Sequence, residues 1–148
     1  MIVISCCALI VLWADPGVAS NASDLQAAVK KLVSNINKGD FKAVAAACAP
    51  RAAIVDGFPP YAWYTCADWM KDYNANNKAI HATLGVLSTG NPKWTDVHGS
   101  YAYSVYPVTF TDVQNGKSFS YRGSMAVTLK KTTSGWVFTG IGSTWGMN

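Results

Sequence analysis

The spacing of apolar residues changes along this chain near Ile80, and this change limits the folds that the chain can adopt. Before Ile80 apolar residues recur every three or four positions, as on one face of a helix; after it they alternate with polar residues, as in half-buried strands. Helices therefore come first and strands second. The pattern predicts an α+β domain in which an antiparallel sheet covers three N-terminal helices.

The first predicted helix opens at a capping box in residues 23–26 and ends at Gly39. Its apolar residues share one face: Leu25, Val29, Leu32 and Ile36. Asp40 is expected to cap a short second helix that includes Cys48 and ends at Pro50. A third helix begins near Thr65, and its pattern is lost in the polar residues 74–77.

Strands are predicted at residues 80–87, 93–97, 101–112, 118–130 and 136–144, after a short strand that ends at Asp56. The clearest turn is Asn115–Gly116, because both central positions of a type I′ hairpin need positive φ. Glycines also lie inside the strands, where they are typical of bulges or bends that let a sheet curve: Gly123, Gly140 and Gly142.

Residues 1–13 form an apolar block that is shorter than the roughly 20 residues of a membrane span, and small residues follow at 17–22. This pattern predicts a signal peptide over residues 1–22, a domain over 23–148, and a periplasmic or secreted protein that is free of the membrane after cleavage. The basic start of a signal peptide is missing, so an uncleaved anchor and a misplaced start codon stay open. A weaker alternative is lipid attachment at Cys6.

Charge and residue types exclude several kinds of partner. The 12 Lys and Arg residues are spread along the chain, so the net charge of +4 predicts a solvated surface and no nucleic-acid partner. The chain has two His residues and no Glu, and its His and Cys residues lack metal-site spacing. We therefore expect no metal and no cofactor.

Residues 54–63 place one carboxylate, Asp56, at the end of an apolar strand beside prolines and large aromatic residues. This arrangement predicts the mouth of a pocket. Its expected lining is aromatic, although core packing explains many such residues equally well: Phe58, Tyr61, Trp63, Trp69, Tyr73 and Tyr106. Asp56 can also serve only its own turn, because Asp-Gly is a favoured turn pair. Asp96 and Asp112 lie beside predicted turns, where we expect them to face water.

The order of these elements resembles the nuclear transport factor 2-like superfamily, in particular its SnoaL-like and ketosteroid-isomerase-like branch. The matching features include residues 38–41, the string from Asp56 through Phe58–Pro59–Pro60 to Trp63, and residues 135–138 in the last strand. The string resembles a subgroup of exported bacterial members of unassigned activity. The resemblance implies three helices in the concave face of a strongly curved antiparallel sheet, a conical pocket and a homodimer formed through the sheet.

The resemblance also places Asp56 where the isomerases carry their general-base Asp. Their catalytic Tyr does not carry over, because the first helix, residues 25–38, contains no Tyr. Tyr103 and Tyr106 could replace it, with Tyr103 the weak candidate for catalysis. They lie three positions apart and must point to opposite faces of their strand.

Cys48 and Cys66 belong to the mature domain, and in an oxidising compartment they could form a disulfide. Two separate buried thiols are the alternative. The resemblance favours the disulfide, because exported relatives carry Cys at these two element ends.

Two functions therefore follow from the sequence. The first is binding of a small apolar or aromatic ligand without catalysis. The alternative is a proton-transfer enzyme of the isomerase, cyclase or dehydratase type with Asp56 as its base.

Overall fold

The computed structural model describes residues 16–83 and 85–147 of the chain. Three helices are present in this part: α1 (Pro16–Asn37), α2 (Phe41–Ala46) and α3 (Cys66–Ala79). The strands are β1 (Cys48–Val55), β2 (Ala62–Trp63), β3 (Val86–Thr89), β4 (Trp94–His98), β5 (Tyr101–Gln114), β6 (Lys117–Thr132) and β7 (Gly135–Met147). The α+β architecture predicted from the sequence is confirmed.

Helix α1 packs its predicted apolar face into the core, where the side chains are almost fully buried: Leu25, Val29, Leu32 and Ile36. At its end the amide of Asn37 donates to the carbonyl of Leu87 and accepts from the backbone N–H of Leu87, both at 2.8 Å. These two hydrogen bonds attach the end of α1 to β3. The Asn37 amide satisfies the N–H and the C=O of Leu87, as a residue of a neighbouring strand would.

The start of α1 differs from the prediction, because the helix begins at Pro16 and continues through the expected cap at Ser23. Proline suits the first turn of a helix, where its missing N–H is not needed. Asn21, in this added part, contacts the amine of Lys131 on β6. The predicted signal peptide lies mainly outside the described residues, so its cleavage stays a prediction.

The second helix is shorter than predicted, and Cys48 belongs to a strand. Asp40 caps α2 as expected, since its carboxylate accepts from the N–H of Ala43 at 3.0 Å. The carbonyl of Ala47 then accepts from the N–H of Phe138 at 3.0 Å, and Cys48 pairs with Phe138. Hydrogen bonds to β7 thus replace a further helical turn.

Helix α3 starts where predicted, because the Thr65 hydroxyl accepts from the N–H of Asp68 at 3.1 Å. It continues to Ala79, through the polar residues that were expected to end it. Among the described residues of the predicted strand at 80–87, only Val86 and Leu87 lie in a strand. His81 adopts a φ of 48°, which breaks an extended strand, and β3 begins only at Val86.

The strands form one sheet in the order β2-β1-β7-β6-β5-β3, with β4 paired to β5 beside β3. All pairs are antiparallel except β1 and β7, which run parallel, so the sheet is mixed rather than purely antiparallel. These two strands are separated by most of the domain, and no hairpin turn sets their direction. Asn115 and Gly116 have φ of 47° and 77°, which confirms the predicted turn between β5 and β6.

Strands β6 and β7 approach each other closely at two of the three predicted glycines, Gly123 and Gly140. A Cβ on Gly123 would overlap the carbonyl oxygen of Thr144, and one on Gly140 would lie 2.7 Å from the hydroxyl of Thr128. The pairing register also shifts between Thr128 and Leu129, which marks a bulge. Bulges of this kind bend a strand and increase its local twist.

Cys48 and Cys66 form a disulfide with a Cα–Cα distance of 6.3 Å, which confirms the predicted pair. It joins the start of β1 to the start of α3. Within residues 16–83 and 85–147, none of the helices has the length and apolar character that a membrane span requires.

Candidate functional site

A cavity of about 370 Å³ lies between α3 and the inner face of the sheet. Helix α3 forms one wall, strands β5, β6 and β7 form the other, and the loop after β1 contributes residues 56–59 to the rim. This loop turns sharply, since the backbone N–H of Tyr61 donates to the carbonyl of Phe58 at 2.8 Å. The volume falls within the range of small-molecule sites in proteins.

The cavity lining is mostly apolar. Its aromatic residues are Phe58, Trp69, Tyr73, Phe110, Tyr121 and Trp145. Its aliphatic residues are Ile36, Met70, Ile80, Leu87, Met125 and Ile141. Its polar side chains are Asp56, Asn76, Asn77, Asp112, Gln114 and Ser143. A few polar groups in an apolar wall can orient a ligand while the wall supplies most of the contact area.

Asp56 is held by donors from three different elements. Its Oδ2 accepts from the indole N–H of Trp69 on α3 at 3.1 Å, and its Oδ1 accepts from the indole N–H of Trp145 on β7 at 2.8 Å. The hydroxyl of Ser143 and the backbone N–H of Gly57 also donate to Oδ1. The side chain therefore links the rim loop to both walls of the cavity, a larger role than its own turn requires.

Asp112 lies inside the cavity wall, which corrects the expectation that it faces water. Its side chain is only 8% exposed, because even-numbered residues of β5 point inward. Oδ2 accepts from the amide of Gln114 at 2.8 Å, and this amide also donates to the hydroxyl of Tyr121 at 3.3 Å. Oδ1 is buried and forms no hydrogen bond with any residue in the described ranges.

Tyr73 lines the same cavity, and its buried hydroxyl likewise lacks a hydrogen-bond partner among the residues described. Burial raises its pKa above the ordinary value, and the negative charges of Asp112 and Asp56 add to this shift. The side chain of Asn77 and the backbone of Gly85 offset part of the shift, although neither meets the phenol oxygen at full hydrogen-bond geometry. Tyr73 therefore keeps its proton and can donate it in a hydrogen bond.

Four of the residues predicted for the site meet at the cavity: Asp56, Phe58, Trp69 and Tyr73. Phe58 packs against Tyr73 with ring centres 6.0 Å apart, so the rim loop and α3 form one continuous aromatic surface.

The other predicted residues lie elsewhere. The indole of Trp63 donates to Asp72 at 2.9 Å, and its ring packs on Phe58 behind the lining. Tyr106 is buried in the core, whereas Tyr103 is 41% exposed on the outer face of the sheet, so the two point oppositely as predicted. Tyr61 is exposed and has a φ of 71°.

The sequence reasoning missed Asp112, Ser143 and Trp145. A signal for Asp112 was present, because the inward alternation of Ala102, Tyr106 and Val108 along β5 continues in phase to this residue. Ser143 and Trp145 follow Ile141 on β7 with the same period of two. Polar residues at the inward-facing positions of a strand are therefore candidates for a functional site.

Among the residues described, no group of three or more His, Cys, Asp or Glu side chains is close enough to hold a metal ion. A second, shallower depression lies on the outer face of the sheet, between β4, β5, β6 and β7, and its lining includes Asp96, His98 and Tyr103. It has fewer apolar walls and is open to solvent on one side.

The chain matches no protein-family model, and no curated protein is significantly similar to it in sequence. Solved structures are similar in fold. A nuclear transport factor 2-like superfamily protein from Salmonella enterica is 14% identical, with a TM-score of 0.73 over 88% of this chain and 94% of that chain. An NTF2-like protein with a cystatin-like fold from Novosphingobium aromaticivorans is 13% identical, with a TM-score of 0.71 over 86% and 82%.

A third similar structure is a candidate scytalone dehydratase from Novosphingobium aromaticivorans, 11% identical, with a TM-score of 0.74 over 88% of this chain and 87% of that chain. These similarities show that the chain has the NTF2-like, cystatin-like fold, as the resemblance predicted. At such identities they show the fold alone, and function has to be argued from the site.

Proposed function

We propose that this domain binds a small apolar or aromatic organic molecule in the cavity between α3 and the sheet. The observation that carries the proposal is the lining itself: aromatic and aliphatic walls around about 370 Å³, with polar side chains at a few points. Apolar contact supplies affinity in such sites, and the few polar groups supply orientation. Two of the lining residues also carry a buried polar atom without a hydrogen-bond partner among the residues described: Oδ1 of Asp112 and the hydroxyl of Tyr73.

Binding of N-phenyl-1-naphthylamine, a neutral apolar dye, tests the proposal by fluorescence titration. Tyr121→Ala removes part of the cavity wall, and we expect it to weaken dye binding about tenfold, or roughly 1.4 kcal/mol. Tyr103→Ala is the matched control, because it makes the same change on the outer face of the neighbouring strand. An absence of saturable binding, or a larger loss in the Tyr103 variant, would contradict the proposal.

A proton-transfer enzyme is the second candidate, and it is favoured by one observation: Asp56, Asp112 and Tyr73 line the same cavity. Asp56 would take a carbon-bound proton next to a carbonyl group, and the electron pair left on carbon would shift to the carbonyl oxygen. The Tyr73 hydroxyl would stabilise that oxygen by donating a hydrogen bond, in the role first considered for Tyr103. Asp56 would then return the proton.

Exchange of the α-protons of phenylacetone in D₂O, followed by proton NMR, tests this candidate. If the protein is an enzyme, it accelerates the exchange above the rate in buffer, and Asp56→Asn returns the exchange to that rate. Asp96→Asn is the control: it changes a solvent-exposed residue of β4 and should keep the acceleration. A wild-type rate equal to that of buffer would eliminate phenylacetone exchange and leave binding as the better-supported function.

The domain is further proposed to act in the periplasm or outside the cell. Support comes from the apolar block at residues 1–13 and from the disulfide between Cys48 and Cys66. Cleavage between Ser20 and Ser23 would shorten α1 but keep its buried face, which begins at Leu25. Mass spectrometry of the exported protein decides this point; an intact Met1 would contradict it.

A homodimer formed through the outer face of the sheet is the remaining proposal. Large aromatic side chains are exposed there on neighbouring strands: Trp94, Tyr101 and Tyr103. Exposed aromatic groups that lie together are typical of interaction surfaces. We expect a dimer in sedimentation experiments at micromolar concentration and a monomer for Trp94→Asp. A monomeric wild type would contradict the proposal.

A further inference from the structure

Asp112 presents an unusual electrostatic situation in the cavity. Its side chain is more than nine-tenths buried, one oxygen is bonded to the Gln114 amide, and the other has no hydrogen-bond partner in the described part of the chain. A buried carboxylate in apolar surroundings is costly unless a donor or a positive charge meets each oxygen. Oδ1 is itself buried, but Asp112 is one of the lining residues, so its negative charge acts on a molecule bound in the cavity.

The charge of the cavity points to the sign of that molecule. All Lys, Arg and His residues of the chain fall within residues 16–83 and 85–147, and none of them lines the cavity. Asp56 and Asp112 both do. A site with two carboxylates and no basic side chain in the described lining repels an organic anion and attracts a cation, the more strongly because its walls have a low dielectric constant.

The aromatic walls favour the same charge. Phe110 lies with its ring centre 6.4 Å from that of Tyr121 and 6.0 Å from that of Trp145, so neighbouring rings surround part of the space. The face of an aromatic ring carries negative potential and attracts an ammonium group within about 6 Å. Phe110 is also two positions from Asp112 on β5, in the same inward phase. The carboxylate of Asp112 and the ring of Phe110 therefore face the cavity from one strand.

We propose that the natural ligand is an organic amine in its protonated form, with an apolar or aromatic body, whose ammonium group is attracted by the carboxylate of Asp112. This inference rests on the proposed ligand-binding function and adds the charge class of the ligand. The body of the ligand fills the aromatic and aliphatic part of the cavity.

Three probes of similar shape and different charge test the inference: 2-phenylethylamine, 2-phenylethanol and 3-phenylpropanoate. Their dissociation constants are measured with the full chain at pH 7, by competition with N-phenyl-1-naphthylamine and by calorimetry. We expect the amine to bind at least tenfold more tightly than the alcohol, and the carboxylate to bind more weakly than both. In Asp112→Asn the amine should lose at least tenfold in affinity, while the alcohol changes less than threefold.

Asp96→Asn is the control, since it removes the same charge from an exposed position on β4 and should leave all three constants unchanged. The inference is overturned if the alcohol binds as tightly as the amine, or if the preference for the amine survives in Asp112→Asn. The wild-type comparison stands even if the Asp112 variant fails to fold. Binding of the dye with no preference for the amine rejects only the charge class, whereas failure of the dye and all three probes rejects the proposed function as well.

Discussion

Asp56→Asn provides a sharp test of the network at the cavity rim. The carboxylate accepts from both indoles on its two oxygens, and an amide of the same shape has only one acceptor oxygen. If that oxygen keeps the place of Oδ1, the new NH₂ group faces the indole N–H of Trp69, and two donors meet. Trp69 is only 6% exposed, so its N–H has little access to water in exchange.

A buried donor without an acceptor costs about 1–3 kcal/mol, and the remaining bonds weaken because they lose the negative charge. We therefore expect Asp56→Asn to lower the free energy of unfolding by roughly 2–4 kcal/mol. For a chain of this size the melting temperature falls on the order of 10 °C.

Urea denaturation followed by tryptophan fluorescence measures this change, with Asp96→Asn as a surface control that should stay within about 0.5 kcal/mol of wild type. An Asp56 variant that is equally close to wild type would refute the reasoning. The carboxylate would then not hold the loop to the two walls.

Other consequences can be measured on the same protein. Gly123→Ala should lower the free energy of unfolding by about 3 kcal/mol or more, because the new Cβ meets a carbonyl oxygen of β7. Gly142→Ala should have a smaller effect, because its Cβ meets open space. Equal effects of the two variants would be inconsistent with the close approach of β6 and β7 at Gly123. Replacing Cys48 and Cys66 by Ser should cost about 3 kcal/mol for a separation of 18 residues, and a melting temperature unaffected by dithiothreitol would show that the bridge adds nothing. Burial raises the pKa of Tyr73 above 10.0, so the folded state holds this proton more tightly than the unfolded state. The contribution of Tyr73 to the free energy of unfolding should therefore be constant below pH 10 and fall above it. Tyr73→Phe should reduce that fall in denaturation experiments at pH 9 to 12, and an identical fall in the variant would exclude Tyr73 as its source.

Local signals in the sequence predicted the local structure well. Asp40 and Thr65 cap helices, and Asn115–Gly116 closes a hairpin, because each of these features depends on residues within a few positions of one another. The parallel pairing of β1 with β7 depends on contacts across most of the chain, and no local pattern encodes it.

The same distinction applies to the site. Asp56 stood out because Pro and aromatic residues follow it directly, but its partners Ser143 and Trp145 lie almost ninety residues later and meet it only through that parallel pair. For Asp112 two local signals disagree: the nearby turn indicates exposure, whereas the alternation along β5 indicates the burial that is observed. The aromatic residues Trp63 and Tyr106 are core, since composition alone does not separate a cavity wall from the packing behind it.

The most direct test of the ligand site follows the tryptophan indole N–H resonances during a titration with 2-phenylethylamine and, in parallel, with the neutral dye. Trp69 and Trp145 line the cavity, whereas Trp94 is exposed on the other face of the sheet and serves as an internal control. We predict that the signals of Trp69 and Trp145 shift in a saturable manner while the signal of Trp94 stays in place. A saturable shift of Trp94 with no change in the other two would place the ligand outside the cavity and contradict the proposed function.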